Sequence, residues 1–234
     1  MRLYLAIRLF GLLSILNPHN TMARFDIAQK HVHKAEGGYQ ADPADMGNYH
    51  QGVLIGTKYG ISASKLAEYM KRMPTQQDMR DLKYKHALAI YRRDFWDKNN
   101  LGRIRNQSLA NLIYDGAINH GNPAMRRIVA DAVTEVHGVD VSPSKVFSEK
   151  GIALINESSP KKLFDQIKFN RWERYKKSKN FARYGTGWKG RLARIEYASA
   201  GGGLVEFAKK NWLPITLVGL AGVTYVLIRK AVSK

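Results

Sequence analysis

Apolar residues recur at helical spacing through most of the chain, beginning at position 25. Phe25, Ala28 and Val32 follow one another at intervals of three and four, which is the spacing of one face of an amphipathic helix. Gly37 and Gly38 come next, and a glycine pair is a frequent helix stop. The pattern therefore predicts a first helix that ends shortly before this pair.

Residues 39–62 follow a different pattern, which predicts a long loop or a small β-hairpin. This stretch is rich in Gly, Asp and Asn and contains short apolar runs such as "GVLIG". Helical spacing returns in "KLAEYMKRM", and either Ser62 or Ser64 is suited to begin that helix. The first helix is thus separated from the next one by an extended, turn-rich segment.

The remaining signals predict more helices, so the fold class is mainly α from about 23 to 198. Thr75 and Asp78 have the spacing of a capping box, which predicts a long helix towards Trp96. Later helices are predicted to begin at Asn106 or Ser108, at Asn122-Pro123 and at Ser159-Pro160, and a last short helix covers "GWKGRLARIEY".

An apolar segment precedes this domain. "LYLAIRLFGLLSIL", Leu3–Leu16, follows Met1-Arg2 as the apolar region of a signal peptide follows a basic start. A second interpretation stays open, because Met22 directly precedes "ARFDIAQK". Residues 1–21 are then an extension upstream of the natural start.

A second apolar segment, Trp212–Ile228, predicts a transmembrane helix over 211–229. Its 17 residues contain no charge, which is near the lower limit for a membrane span. A glycine-rich linker over 199–210 precedes it and a basic tail over 230–234 follows it. A buried core helix is the competing interpretation, but the terminal position and the basic flanks favour the membrane.

Charges around this span predict its orientation. Arg229, Lys230 and Lys234 follow the span, whereas Lys209 and Lys210 precede it. An excess of positive charge favours the cytoplasmic side. The sequence therefore predicts a membrane-anchored protein whose main domain lies outside the cytoplasm.

A net charge of +19 and the lack of cysteine narrow the function classes. The charge favours polyanionic surroundings, and the lack of cysteine excludes disulfides and thiolate metal sites. His31 and His33 diverge around a helix axis and make a poor zinc pair, so no metal site is predicted.

The segment Lys161–Glu196, with 12 Lys/Arg and 3 Asp/Glu, interleaves basic and aromatic residues. This pattern fits a nucleic-acid-binding face or a solvated helix face with buried aromatics.

Glu36 is the first candidate for chemistry. It lies in the predicted last turn of the first helix, where the helix dipole is expected to raise the pKa of its carboxyl. A carboxylic acid that stays protonated near neutral pH can protonate a leaving oxygen. Asp42 and Asp45 follow in a polar loop, where a carboxylate is solvated. Contrasting carboxylates can divide acid and base roles, although a glutamate before a helix stop and an Asp-Pro turn are also common.

Four motifs occur in a fixed order along the chain. The first two are "EGGYQADPAD", Glu36–Asp45, and "TKYGIS", Thr57–Ser62. The others are "LIYDGAINHG", Leu112–Gly121, and "GWKGRL", Gly187–Leu192. Together they resemble family 108 of the glycoside hydrolases, which are lysozyme-like N-acetylmuramidases with a Glu-Gly-Gly-Tyr signature. In that family the third motif opens a peptidoglycan-binding part.

The resemblance implies the organisation and the catalytic residues. A lysozyme-like domain over 22–198 would comprise a catalytic part (about 22–105) and a peptidoglycan-binding-like part (106–198). Glu36 would be the catalytic acid. A wider resemblance to phage-type lysozymes implies an aspartate nine residues later and then a threonine, which here are Asp45 and Thr57. The chain departs from the family by inserting "NYHQGVLIG" between these two residues.

Other residues of the motifs are candidates for substrate binding. Tyr39 and Tyr59 would stack on sugar rings or pack in the fold, and Asp42 lies in the same loop. Asn119 and His120 would line the sugar cleft or cap a helix that Gly121 ends. The chemistry that the resemblance implies needs no cofactor.

The sequence therefore predicts a hydrolase that cleaves the β-1,4 bond between N-acetylmuramic acid and N-acetylglucosamine in peptidoglycan. Anionic wall polymers are a second expected partner, since the domain is strongly basic. The alternative is a catalytically inactive, membrane-tethered basic module that binds cell wall or nucleic acid. Motif residues present in order favour the enzyme and disfavour nucleic acid.

Overall fold

The structure is a computed structural model that describes residues 22–32, 37–198, 215–219 and 222–226. Thr21–Ile195 form one compact unit, and helices predominate in its described residues, which confirms the mainly α prediction. The α-helices of this unit are α1 Phe25–Val32, α2 Ala63–Met70, α3 Gln76–Asp81, α4 Tyr84–Tyr91, α5 Gln107–His120, α6 Asn122–His137, α7 Glu149–Glu157, α8 Pro160–Lys176 and α9 Phe181–Ala193.

The core includes an aromatic cluster where α1 packs against α5. The ring of Tyr114 lies edge-on to Phe25 and Trp96, with ring centroids 5.8 and 5.7 Å away. Its hydroxyl donates a hydrogen bond to Gln29 Oε1, and both side chains are buried. The catalytic and binding parts predicted from the motifs thus share one core, and their functional division stays a prediction.

Several predicted helix starts are confirmed. Side-chain oxygens of Ser62 and Asn106 cap α2 and α5, and Thr75 with Asp78 forms the reciprocal capping box of α3. The single long helix predicted after this box is wrong. The chain leaves helical geometry at Leu82, which has a ψ angle of 117° and is only 4% exposed, so its side chain is buried where the helix ends. α4 and a π-helical segment then continue the path.

Between α1 and α2 the chain forms the predicted small β-hairpin. β1 (Tyr49–His50) pairs antiparallel with β2 (Val53–Leu54). The turn residues Gln51 and Gly52 have φ angles of 49° and 80°, as a tight two-residue hairpin turn requires. His33–Glu36, including the predicted catalytic acid, lie outside the described residues.

The transmembrane helix predicted over 211–229 is wrong for the residues described there. Ile215–Gly219 (β3) pairs antiparallel with Gly222–Val226 (β4). Both strands contain several β-branched residues, which favour extended backbone, and the strands pair through Gly219 and Gly222 at one end. None of the helices in the described residues combines the length and the hydropathy that a membrane span needs. Membrane attachment and a location outside the cytoplasm stay predictions, and residues 1–21, 199–210 and 230–234 lie outside the described residues.

Candidate active site

The insertion between Asp45 and Thr57 closes on itself. The carbonyl oxygen of Asn48 accepts hydrogen bonds from the N–H groups of Ile55 at 2.8 Å and Gly56 at 2.9 Å. The first and last residues of the insertion are therefore in direct contact. The hairpin leaves and rejoins the chain at one place, and it does not move the two candidate residues apart.

Gln40 brings the candidate residues on both sides of the insertion together. Its backbone pairs with Thr57 through two hydrogen bonds of 2.9 and 2.8 Å. Side chains of such a pair lie on the same face, with Cα atoms about 5.5 Å apart. The side-chain nitrogen of Gln40, Nε2, also donates to Asp45 Oδ2 at 3.3 Å. Asp45 and Thr57 thus share Gln40 as a neighbour, and Gln40 follows Glu36 by four positions in the sequence.

Asp45 keeps capacity to accept further hydrogen bonds. It is exposed, and its Oδ1 accepts the N–H of Gly47 at 2.9 Å at the start of a short 3-10 helix. An ionised carboxylate offers about four lone-pair sites, so sites remain for a water molecule. Within the described part of the chain, the Thr57 hydroxyl has no hydrogen-bond partner. Both groups are chemically able to hold a water.

Asp42 has a structural task in the same loop. Its Oδ1 accepts the N–H of Ala44 at 2.9 Å, and its carbonyl accepts the N–H of Asp45 at 3.1 Å. This is the turn chemistry expected of Asp-Pro-x-Asp. Asn48 Nδ2 donates to the Asp42 carbonyl and to Gln40 Oε1, each at 2.9 Å. Gln40 and Asn48 were not predicted as site residues; the only signals in the sequence were the position of Gln40 within the first motif and that of Asn48 at the start of the insertion.

The backbone next to Glu36 is tied to the helical core. The carbonyl of Gly37 accepts the N–H of Tyr59 at 3.2 Å, and the Tyr59 carbonyl accepts the hydroxyl of Tyr91 at 3.0 Å. Tyr59 and Gly60 both have left-handed φ angles, 52° and 70°, and a Cβ on Gly60 would lie 2.4 Å from the Tyr91 hydroxyl. The "TKYGIS" motif therefore provides a tight turn that packs on α4.

The two tyrosine candidates have packing roles. The ring of Tyr39 lies 3.9 Å from the Arg80 guanidinium carbon, and its hydroxyl donates to the Ile55 carbonyl at 3.3 Å. Tyr59 lies edge-on to Tyr84, with ring centroids 5.6 Å apart. Both tyrosines remain half-exposed. Stacking on sugar stays a prediction for the exposed parts of their rings.

Asn119 and His120 line a different groove. It has a volume of about 740 Å³ and is lined by residues of α5, α6, α8 and α9, among which neither Asp45 nor Thr57 occurs. Asn119 Oδ1 accepts the hydroxyl of Tyr175, whose ring centroid lies 4.5 Å from that of His120. A role of Asn119 and His120 in sugar binding stays a prediction.

A buried ion cluster joins the third motif to the fourth. Arg171, fully buried, donates to Asp115 Oδ2 at 2.6 Å, and Arg191 donates to Oδ1 at 2.9 Å. Burial alone would raise the pKa of Asp115, but the two guanidinium groups outweigh it and hold that pKa below its usual range. We call these three residues the Asp115 cluster. It connects α5, α8 and α9.

The histidine beside this cluster is held neutral. Burial, and then the positive charge of Arg171, lower the pKa of His120 to about 3. Arg171 Nε donates to His120 Nε2 at 3.3 Å, which requires an unprotonated nitrogen there.

Four aromatic residues of the basic segment pack on one another in two pairs, while Phe169 and Tyr184 are exposed. Tyr175 lies parallel to Trp188 with centroids 4.7 Å apart, and Trp172 lies edge-on to Phe181 at 5.5 Å. Their faces are therefore partly covered within the fold. This supports the interpretation of a solvated helix face with packed aromatics over that of a nucleic-acid platform.

Comparisons with known proteins agree with the motifs. Residues 29–121 match the family model described as glycosyl hydrolase 108. The chain is also similar to a solved structure described as that of Brucella abortus SagA, with 27% sequence identity and a TM-score of 0.59 over 73% of this chain and 90% of that chain. No curated protein matches the chain. The resemblance to family 108 is confirmed, and it supports a glycoside hydrolase.

Proposed function

We propose, from the confirmed resemblance to family 108 glycoside hydrolases, that this protein hydrolyses peptidoglycan between N-acetylmuramic acid and N-acetylglucosamine. The observation that carries the proposal is the closed insertion. Gly56 donates a hydrogen bond to the Asn48 carbonyl, so the insertion starts and ends at the same place. Gln40 therefore contacts both Thr57, through its backbone, and Asp45, through its side chain. The departure from the family pattern is therefore compatible with Asp45 and Thr57 acting together, since both contact Gln40. This favours an enzyme over an inactive binding module.

The proposed mechanism divides the work between an acid and a held water. Glu36 donates its proton to the glycosidic oxygen as that bond breaks. A water bound by Asp45 and Thr57 attacks the anomeric carbon from the opposite face and gives its proton to Asp45. An acid and base separated by about 6.5–9.5 Å leave room for such a water and invert the anomeric carbon. The reaction consumes one water and leaves a new hydroxyl on each product.

Replacement of the acid tests the proposal. Glu36→Gln keeps the shape of the side chain but removes the proton donor, so clearing of a cell-wall suspension should slow by about 10²- to 10⁴-fold. Glu135→Gln, an exposed glutamate on α6, is the matched control and should keep the parent rate. Borohydride converts the sugar at the new reducing end to its alcohol. This sugar should be identified as N-acetylmuramic acid.

Two outcomes would contradict the proposal. Activity of Glu36→Gln within about threefold of the parent, with an unchanged thermal melt, would remove Glu36 as the acid, since a general acid contributes at least about 10²-fold. A new reducing end on N-acetylglucosamine would show cleavage of the other glycosidic bond.

A further inference from the structure

The inserted hairpin is fixed to the helical domain. His50 Nδ1 and Ser64 Oγ of α2 lie 3.2 Å apart, within hydrogen-bond distance. On the opposite strand, Gln76 Nε2 donates to the Leu54 carbonyl at 3.0 Å. One contact reaches α2 and the other reaches α3. The hairpin is therefore held in place from both strands.

A cleft lies between the hairpin and α2. Its volume is about 390 Å³, within the range of small-ligand sites, about 300–1,000 Å³. Hydrogen-bonding side chains are supplied by His50 and Gln51 of the hairpin and by Ser64 of α2, and apolar surface by Ala67 and Met73. A mixture of hydrogen-bonding groups and small apolar patches suits a sugar with an acetamido group.

Charged residues of the cleft already have partners. Glu68 pairs with Lys65 at 2.7 Å. Arg72 binds both carboxylate oxygens of Asp78, at 2.8 and 2.7 Å. Because each of these charges has an oppositely charged partner beside the cleft, the net attraction for an ionic ligand is small, which favours an uncharged one.

Gln51 at the hairpin turn lines the cleft. Gln51 has a left-handed φ of 49°, a conformation that glycine or asparagine adopts at lower cost. The neighbouring turn position is already a glycine. The turn itself requires a positive φ at this position, and glutamine, unlike glycine, also presents a hydrogen-bonding side chain to the cleft.

We propose that this cleft is an additional sugar subsite, which takes an uncharged N-acetylated sugar of the glycan beyond those at the reacting bond. The inference rests on the proposed function for the identity of the polymer. The hairpin begins and ends at Asn48 and Gly56, next to Asp45 and Thr57, and its tip lies about 10 Å farther along at about 3.3 Å per residue. A glycan strand that leaves the catalytic residues along the hairpin would reach the cleft.

Binding of sugar oligomers tests the subsite without requiring turnover. Short and long oligomers of β-1,4-linked N-acetylglucosamine are titrated by calorimetry into the full chain carrying Glu36→Gln. In this background, Gln51→Gly should weaken binding of the long oligomer about 3- to 10-fold, the effect of one lost neutral hydrogen bond. Binding of the short oligomer should not change. The melting temperature should equal or exceed that of the Glu36→Gln background, because glycine relieves the left-handed φ.

Lys71→Gly is the matched control. Lys71 also has a left-handed φ, 54°, but does not line the cleft, so this change should leave both affinities unaltered. His50→Ala should repeat the effect of Gln51→Gly on the long oligomer.

Three results would overturn the subsite: an equal loss for both oligomers, no loss for either, or preferential binding of a wall peptide without sugar. Failure of the proposed function gives a different result. The parent would then fail to hydrolyse cell wall, although length-dependent binding of the oligomers would persist.

Discussion

Two aspartates within the family motifs, Asp45 and Asp115, have opposite environments. Asp45 is exposed and accepts one hydrogen bond from Gln40 and one from a backbone N–H. Asp115 is buried, and both of its oxygens are bound by the guanidinium groups of Arg171 and Arg191. The first carboxylate has lone pairs left for water, and the second has both oxygens engaged by cations. Similar residues in similar motifs are therefore suited to different tasks, one to chemistry and one to joining helices.

The contrast between the two aspartates predicts that loss of the Asp115 carboxylate destabilises the fold. Asp115→Asn would leave fully buried Arg171 without its anion, which should lower the free energy of unfolding by about 3–5 kcal/mol. Asp165→Asn is the matched control, because Asp165 pairs with Lys161 on the surface of α8 and should cost no more than about 1 kcal/mol. Urea unfolding of both variants measures the difference. Equal losses would contradict the structural role of the cluster.

The comparison also predicts that Asp45 matters for turnover. Asp45→Asn and Thr57→Ala should each lower kcat by about 10²-fold or more, the usual scale for a positioned base. Binding to cell-wall pellets should change far less, because the held water is needed only in the reaction.

Asp42→Asn is the control for that prediction, and it should cost little because Asp42 mainly shapes a turn. If Asp42→Asn abolishes hydrolysis while Asp45→Asn is silent, the roles of the two aspartates are exchanged. If neither change matters, Glu36 works without a base from this loop.

The smallest expected effect is a pH dependence of stability that comes from His120, beside the Asp115 cluster. The folded-state pKa of His120 is lowered to about 3, whereas an unfolded histidine titrates near 6.5. Between these values only the unfolded chain binds the proton, so the free energy of unfolding should fall as pH falls below 6.5. The slope is at most about 1.4 kcal/mol per pH unit. In His120→Gln the slope between pH 6.5 and 4.5 should be smaller than in the parent, and an equal slope would contradict the burial of a neutral ring.

Local rules predicted much of the fold. Ser62, Asn106 and the capping box at Thr75 begin helices as expected, since each supplies an oxygen to free backbone N–H groups. The transmembrane helix was wrong for the described residues 215–219 and 222–226, because hydropathy alone does not distinguish a helix from two strands rich in β-branched residues. Closure of the hairpin and the pairing of Asp115 with Arg191 join residues far apart in the chain. Such contacts depend on the tertiary fold and cannot be derived from local patterns.

The anomeric form of the first product shows whether Glu36 acts with a water held by Asp45 and Thr57. Proton NMR of the parent enzyme acting on a soluble glycan records which anomer of the new reducing end forms before mutarotation. Attack by a water on the opposite face inverts the β-linkage, so we expect the α-anomer to form first. A product that forms first as the β-anomer would mean retention, and it would contradict a mechanism based on a water held by these residues.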